Sequence, residues 1–195
     1  MEYAKMRGIA EELMAYAERL EGSWSVEIGP SGPVLAMASV PNRHHGTARR
    51  IRKQLDQQLT ATHPGYICAG GPEIEHPAIG RMRHPDAVVI PEASLDEEGL
   101  AVDVAEVLAV IEIVSPSNPD NDYRDKLADY PAMGIPLYLI VDPRTGTIEV
   151  HSEPCGNRYG SKEPYIFGDT VPFGPWLLET GAFRRYGKPG TDSQR

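Results

Sequence analysis

The chain has 195 residues, 41% of them hydrophobic and 24% charged, with a formal net charge of −9 and a pI near 5.1. That is enough chain for one domain with a sizeable core, and no apolar run reaches the ~18 residues of a membrane helix, so no membrane partner is expected. The acidic balance argues against tight non-specific binding to nucleic acid, yet it is compatible with a nuclease, because a metal ion and a local basic face can offset it.

The first segment, MEYAKMRGIAEELMAYAERL, carries Glu2, Glu11, Glu12 and Glu18. It reads as an amphipathic helix over residues 2–21, with Ile9, Leu13, Ala17 and Leu20 at helical spacing, and not as a signal peptide. Cys68 and Cys155 lack metal-pair spacing. A reduced, cytoplasmic protein is the resulting expectation. SWSVEIG and PVLAMAS read as a hairpin around Pro30, Ser31 and Gly32. Residues 46–61 read as a second helix with Ile51, Leu55 and Leu59 on one stripe, stopped by His63, Pro64 and Gly65.

YICAG and HPDAVVI read as strands, with an irregular strand or loop, EIEHPAIGRMR, between them. Residues 91–103 are acidic and turn-rich, which predicts a surface loop. VLAVIEIV is a continuous apolar run broken only by Glu112, the pattern of a central strand covered on both faces. Ser117 to Asp120 carry cap residues for a helix over 121–133, weakened at Pro131 and closed by Gly134. IPLYLIVD is the next strand, and TIEVHS pairs with it across the turn at 143–146. The remainder predicts short strand fragments. Residues 1–186 are expected to form one domain and 187–195 a disordered tail. The order from residue 46 is helix, three strands, helix, strand. It predicts an α/β (mixed α+β) fold whose mixed central sheet has helices on its faces, preceded by a helix and a β-hairpin.

Two carboxylates stand out. Glu112 shares a strand face with Val110 and Val114, where an unpaired acid is costly to desolvate. It needs a cation, a donor network or a raised pKa, unless the strand end is open to water or an arginine. Asp86 heads its own strand. If the two strands are antiparallel neighbours, the acids converge, and two unit charges ~4 Å apart repel by roughly 4 kcal/mol at an effective dielectric of ~20. Mg²⁺ (or Mn²⁺) answers that repulsion, since it is held by one or two carboxylates plus waters and phosphates. Lys126 borders the predicted inward stripe Tyr123, Leu127 and Tyr130. Its ammonium either reaches the sheet edge, where it can orient water or stabilise a phosphorane-like charge, or pairs in solvent with Asp122. RHHGTARRIRKQL concentrates Arg43, Arg49, Arg50, Arg52 and Lys53, either a phosphate-tracking surface for DNA or a solvated helix face.

The ordered set HPDAVVI, VIEIVSPSN, DYRDKLADY and GIPLYLIVDP resembles the Uma-two family of restriction endonucleases within the PD-(D/E)xK nuclease superfamily. The resemblance spans roughly residues 21–151. It implies a restriction-endonuclease-like αβββαβ core with Asp86 and Glu112 as metal ligands and the Ile113 carbonyl as a third. The superfamily lysine stands two residues after the acid, where this chain has Val114; the resemblance implies that Lys126 takes its place. Glu27 matches an acid on the first hairpin and His45 a histidine near the site, each either a metal-site residue or an ordinary surface one. The reading is a metal-dependent endonuclease hydrolysing DNA phosphodiesters with a two-carboxylate-plus-lysine site, expected to act as a homodimer. The rival is a catalytically inactive nuclease-fold module for binding or assembly.

Overall fold

The structure is a computed structural model that describes residues 2–22, 24–37, 41–99, 101–116 and 118–187. Of the tail expected at 187–195, residues 188–195 lie outside the described residues, as does Ser117 of the expected helix cap.

Helix α1 (Tyr3–Ala17) packs on a hairpin of β1 (Trp24–Gly29) and β2 (Gly32–Met37). Its Ala10 meets Val26, Ile28 and Met82 in a small cluster of their own. Helix α2 (Asn42–Thr62) follows, then β3 (Tyr66–Ala69), β4 (Glu73–His76), β5 (Arg81–Arg83), β6 (Ala87–Pro91), β7 (Ala101–Asp103) and β8 (Ala109–Ile113). A π-helical turn, Asn121–Asp125, runs into α3 (Lys126–Ala132). The chain then builds β9 (Leu137–Asp142), β10 (Thr147–Cys155), β11 (Arg158–Ile166), β12 (Thr170–Phe173) and β13 (Trp176–Glu179).

The strands form a six-stranded sheet in the order β11-β10-β9-β8-β6-β3, a five-stranded sheet β2-β1-β5-β4-β7 and the pair β12-β13. In the larger sheet β3, β6 and β8 are antiparallel neighbours, while β8 and β9 run parallel across α3. The succession α2-β3-β6-β8-α3-β9 is the expected αβββαβ core, with β4, β5 and β7 inserted into it. Strand β8 is covered on both faces, as its unbroken apolar run predicts. Ala109, Ile111 and Ile113 face Ile51, Leu55 and Leu59 of α2. Val110 and Val114 face Tyr130 of α3 and Met133 just beyond its end.

Three boundaries differ from the sequence reading. Helix α2 begins at Asn42 rather than 46, because its first turn buries His44 and Thr47, and Thr47 Oγ1 donates to the Arg43 carbonyl at 2.9 Å. Polar residues that face inward leave no apolar stripe to read. The stretch 91–103 is not a plain loop: it holds a 3₁₀ turn (Glu92–Leu95) and β7, which pairs parallel to β4 with Val102 opposite Ile74. One inward valine in an acidic segment is too weak a signal for period-two reading. The predicted TIEVHS strand pairs with β9 but runs on to Cys155 and pairs with β11, a second nine-residue strand where fragments were expected; β12 and β13 are short strands as predicted.

Both ends of the large sheet are managed. At β3 the Cys68 N–H donates to Asp56 Oδ1 of α2 at 2.7 Å. At the other end β11 carries exposed Lys162 and Pro164. Cys68 and Cys155 are both free thiols. Among the described residues no helix is long and apolar enough to cross a membrane.

Ile111 has no exposed surface and sits at the centre of the α2-facing layer. Replacing it with alanine should lower unfolding free energy by about 2–5 kcal/mol in urea titration, with an unchanged m-value.

Candidate active site

The antiparallel register of β6 and β8 sets Ala87 opposite Ile111. One residue further out, Asp86 faces Glu112, so the strand pairing itself brings the two acids to one end of the sheet. Asp86 Oδ2 accepts the Ile113 N–H at 2.7 Å and lies 3.1 Å from His44 Nε2. Glu112 is 2% exposed. Its Oε1 accepts from Lys126 Nζ at 2.8 Å and from the Tyr130 hydroxyl. Among the described residues, neither Asp86 Oδ1 nor Glu112 Oε2 makes a hydrogen bond to protein.

Lys126 is buried, so its side chain reaches the sheet rather than solvent. Its ammonium also lies 3.3 Å from Glu27 Oε1 and 3.8 Å from Asp122 Oδ1. Glu27 faces inward from β1. Its Oε2 accepts from Arg83 Nη1 at 2.9 Å and its Oε1 accepts the His84 N–H at 3.2 Å. Arg83 in turn donates from Nε to Asp129 Oδ2 at 3.0 Å, with Nη2 on the same oxygen. Arg81 Nε donates to Asp129 Oδ1 at 2.7 Å. The network therefore runs from the small sheet through β5 to α3 and back to β8.

These partners set the charges. Burial pushes the Glu112 carboxyl well above the usual carboxylate range, with Asp86 and Asp122 adding to it against Lys126. For Glu27, burial works the same way, but Lys126 and Arg83 outweigh it and bring its pKa to about 2. Burial opposes the Lys126 ammonium, yet Glu112, Glu27, Asp122 and Asp86 together hold it well above the ordinary lysine value. Burial, helped by Asp86 and Glu27, lifts Asp122 to about 6. Two buried glutamates share one lysine and sit in opposite regimes, because only Glu27 has a second cation.

These groups line a cleft of about 530 Å³. The cleft also contains His44, His45, His84, Arg52, the Gly70–Gly71 turn and the Ile113 backbone. Among the described residues no three His, Cys, Asp or Glu side chains come together to hold a metal alone. Two carboxylates with a free oxygen each fit instead a hard, oxygen-liking ion that keeps water and substrate oxygens in its shell.

The structure thus brings Asp86, Glu112, Ile113, Lys126 and Glu27 into one cleft. His45 is exposed at its edge, and its neighbour His44 is the buried one against Asp86. The doublet gave no way to choose between them. Of the basic cluster only Arg52 lines the cleft. Arg43 donates to the Arg185 carbonyl at 2.6 Å, Arg50 to Gly46 at 2.8 Å, and Arg49 and Lys53 are exposed on the helix. Arg83 and Asp129 went unseen in the sequence, and Asp122, considered there as a solvent partner of Lys126, is buried beside it. The available signal was alternation in RMR, which puts Arg81 and Arg83 on one strand face, and the i, i+3 spacing of Lys126 and Asp129.

The fold and cleft define a nuclease-like protein. A family model described as "Uma2: Putative restriction endonuclease" matches residues 10–178, most of the chain, and the chain belongs to that family. Among solved structures, the "putative nuclease belonging to DUF820 from Anabaena variabilis ATCC 29413" superposes with a TM-score of 0.59 at 14% identity, covering 84% of this chain and 87% of that one. It shares the fold. No curated protein matches the chain.

The Glu27 pKa fixes a pH dependence. Its folded value lies below its unfolded value, so its contribution is complete above about 4.5 and is lost as pH falls towards about 2. That contribution is on the order of 3 kcal/mol. Unfolding free energy measured from pH 5 to 2 should fall less steeply in Glu27→Gln than in wild type; equal slopes would remove Glu27 from the acid-sensitive set.

Proposed function

We propose that the protein is a metal-dependent endonuclease that hydrolyses DNA phosphodiester bonds in this cleft. The observation that carries the reading is the convergence of Asp86, Glu112 and Lys126 from two strands and a helix. Asp86 and Glu112 would hold a Mg²⁺ or Mn²⁺ ion, with the Ile113 carbonyl as a third donor. When bound, such an ion supplies positive charge against the phosphate oxygens and acidifies water. Asp86 is held by the Ile113 N–H and His44 through one oxygen, which leaves the other for the site. The Lys126 ammonium places a fixed positive charge beside Glu112, where it can orient water and stabilise charge on the reacting phosphate. Glu27 keeps that ammonium in place without being protonated itself. Cutting both strands of a duplex takes two such clefts, so a homodimer is part of the proposal.

Supercoiled plasmid incubated with Mg²⁺ or Mn²⁺ should be nicked and linearised by the wild type. Asp86→Ala and Glu112→Ala should each fall by about 10²-fold or more, since each removes charge stabilisation of the kind that costs roughly this much. Lys126→Met should lose activity with metal binding largely kept. Equal cleavage by all four proteins would refute the assignment.

A second reading, an inactive module that keeps the nuclease fold, is favoured by one observation: Lys126 is already shared between Glu112 and Glu27. Calorimetric titration with Mn²⁺ separates the two. The enzyme reading requires binding that Asp86→Ala abolishes; an intact fold with no heat at millimolar metal favours the module.

A further inference from the structure

Four carboxylates, Glu27, Asp86, Glu112 and Asp122, line the cleft against two permanent cations, Arg52 and Lys126. Lys126 is committed to its acids. A polyanion entering this cleft meets net negative charge, so its oxygens are best held where a cation is not already committed to an acid. Arg52 is that cation. Its Nε is buried without a hydrogen-bond partner, and the side chain makes no ion pair among the described residues. Its nearest acid along the helix, Asp56, has Oδ1 occupied by the Cys68 N–H.

The guanidinium lies against the turn after β3. A Cβ placed on Gly70 would come 2.7 Å from Arg52 Nη1 and 3.1 Å from its Cζ. Gly70 is not in the left-handed region, so its missing side chain is needed for space and not for backbone conformation. A glycine here leaves room for the head of Arg52 beside the turn. The buried Nε–H of this partly exposed side chain lacks an acceptor, and an incoming oxyanion would supply one through two parallel N–H···O bonds.

We infer that Arg52 is a substrate-binding residue of the cleft, a fork that takes the two non-bridging oxygens of one phosphate of a nucleic-acid strand, with Gly70 shaping its seat. The inference rests on the nuclease reading for the identity of the strand but not for the anion contact itself. The other four cations of the cluster lie outside the cleft.

The test is binding of a short fluorescein-labelled DNA oligonucleotide to the full chain in EDTA, followed by anisotropy across a salt series. Metal-free conditions separate binding from cleavage. Arg52→Gln should weaken binding several-fold and reduce the slope of log K against log salt by about 0.7–0.9, one phosphate contact. Gly70→Ala, which keeps the charge but crowds the guanidinium, should weaken binding in the same direction. Arg158→Gln, an exposed charge on the β10–β11 hairpin, should leave the slope unchanged. Thermal unfolding of each variant confirms that the fold is kept. A slope for Arg52→Gln equal to that of Arg158→Gln, or no binding by wild type at low salt, overturns the inference. Cleavage by the Asp86→Ala protein reports on the nuclease reading separately: wild-type cutting lost in Asp86→Ala but kept in Arg52→Gln with normal binding removes only Arg52.

Discussion

The Lys126 ammonium is the constraint on which the rest of the molecule is arranged. A lysine 4% exposed is tolerable only when anions surround it, and here they come from three places: Glu112 of the large sheet, Glu27 of the small sheet and Asp122 from the π-helical turn. Arg83 does the same in reverse for Glu27 and Asp129. Buried pairs of this kind add little net stability, but removing one partner strands the other without water. The N-terminal hairpin is therefore tied to the nuclease core by charge as well as by the Val26–Met82 packing.

That arrangement also divides labour between two chemically identical side chains. Glu27 is anionic throughout the working range because two cations face it. Glu112 is pushed the other way by deeper burial and nearby acids, so it gains most from an added positive charge. The family match and the shared fold of the Anabaena protein set these residues in a nuclease-like frame. The electrostatics separate an acid held anionic by two cations from one whose burial and acidic neighbours favour the protonated form.

Much of this was legible in the sequence wherever side-chain periodicity carried it. VLAVIEIV announced a strand buried on both faces, and the interruption by Glu112 pointed to the candidate cleft that it lines. Asp86 was found because an antiparallel partner strand begins beside it. Lys126 was found because it flanks the Tyr123–Tyr130 stripe of the helix, although its complete burial was not foreseen. What stayed hidden were residues whose role depends on a distant partner. Arg83 and Asp129 are 46 residues apart in sequence and belong to different layers. His44 and His45 are indistinguishable until the first turn of α2 has an orientation. Likewise β7 rests on a single inward valine, below what alternation can reveal.

The edges of the six-stranded sheet have a consequence for the protein in a crowded solution. A bare edge is a template on which another chain can add a strand. At β3 the amide of Cys68 is already taken by an aspartate from the overlying helix. At β11 Pro164 has no N–H to offer, and exposed Lys162 sets a charge on the edge. Each end of the sheet thus discourages lateral strand addition by different chemistry.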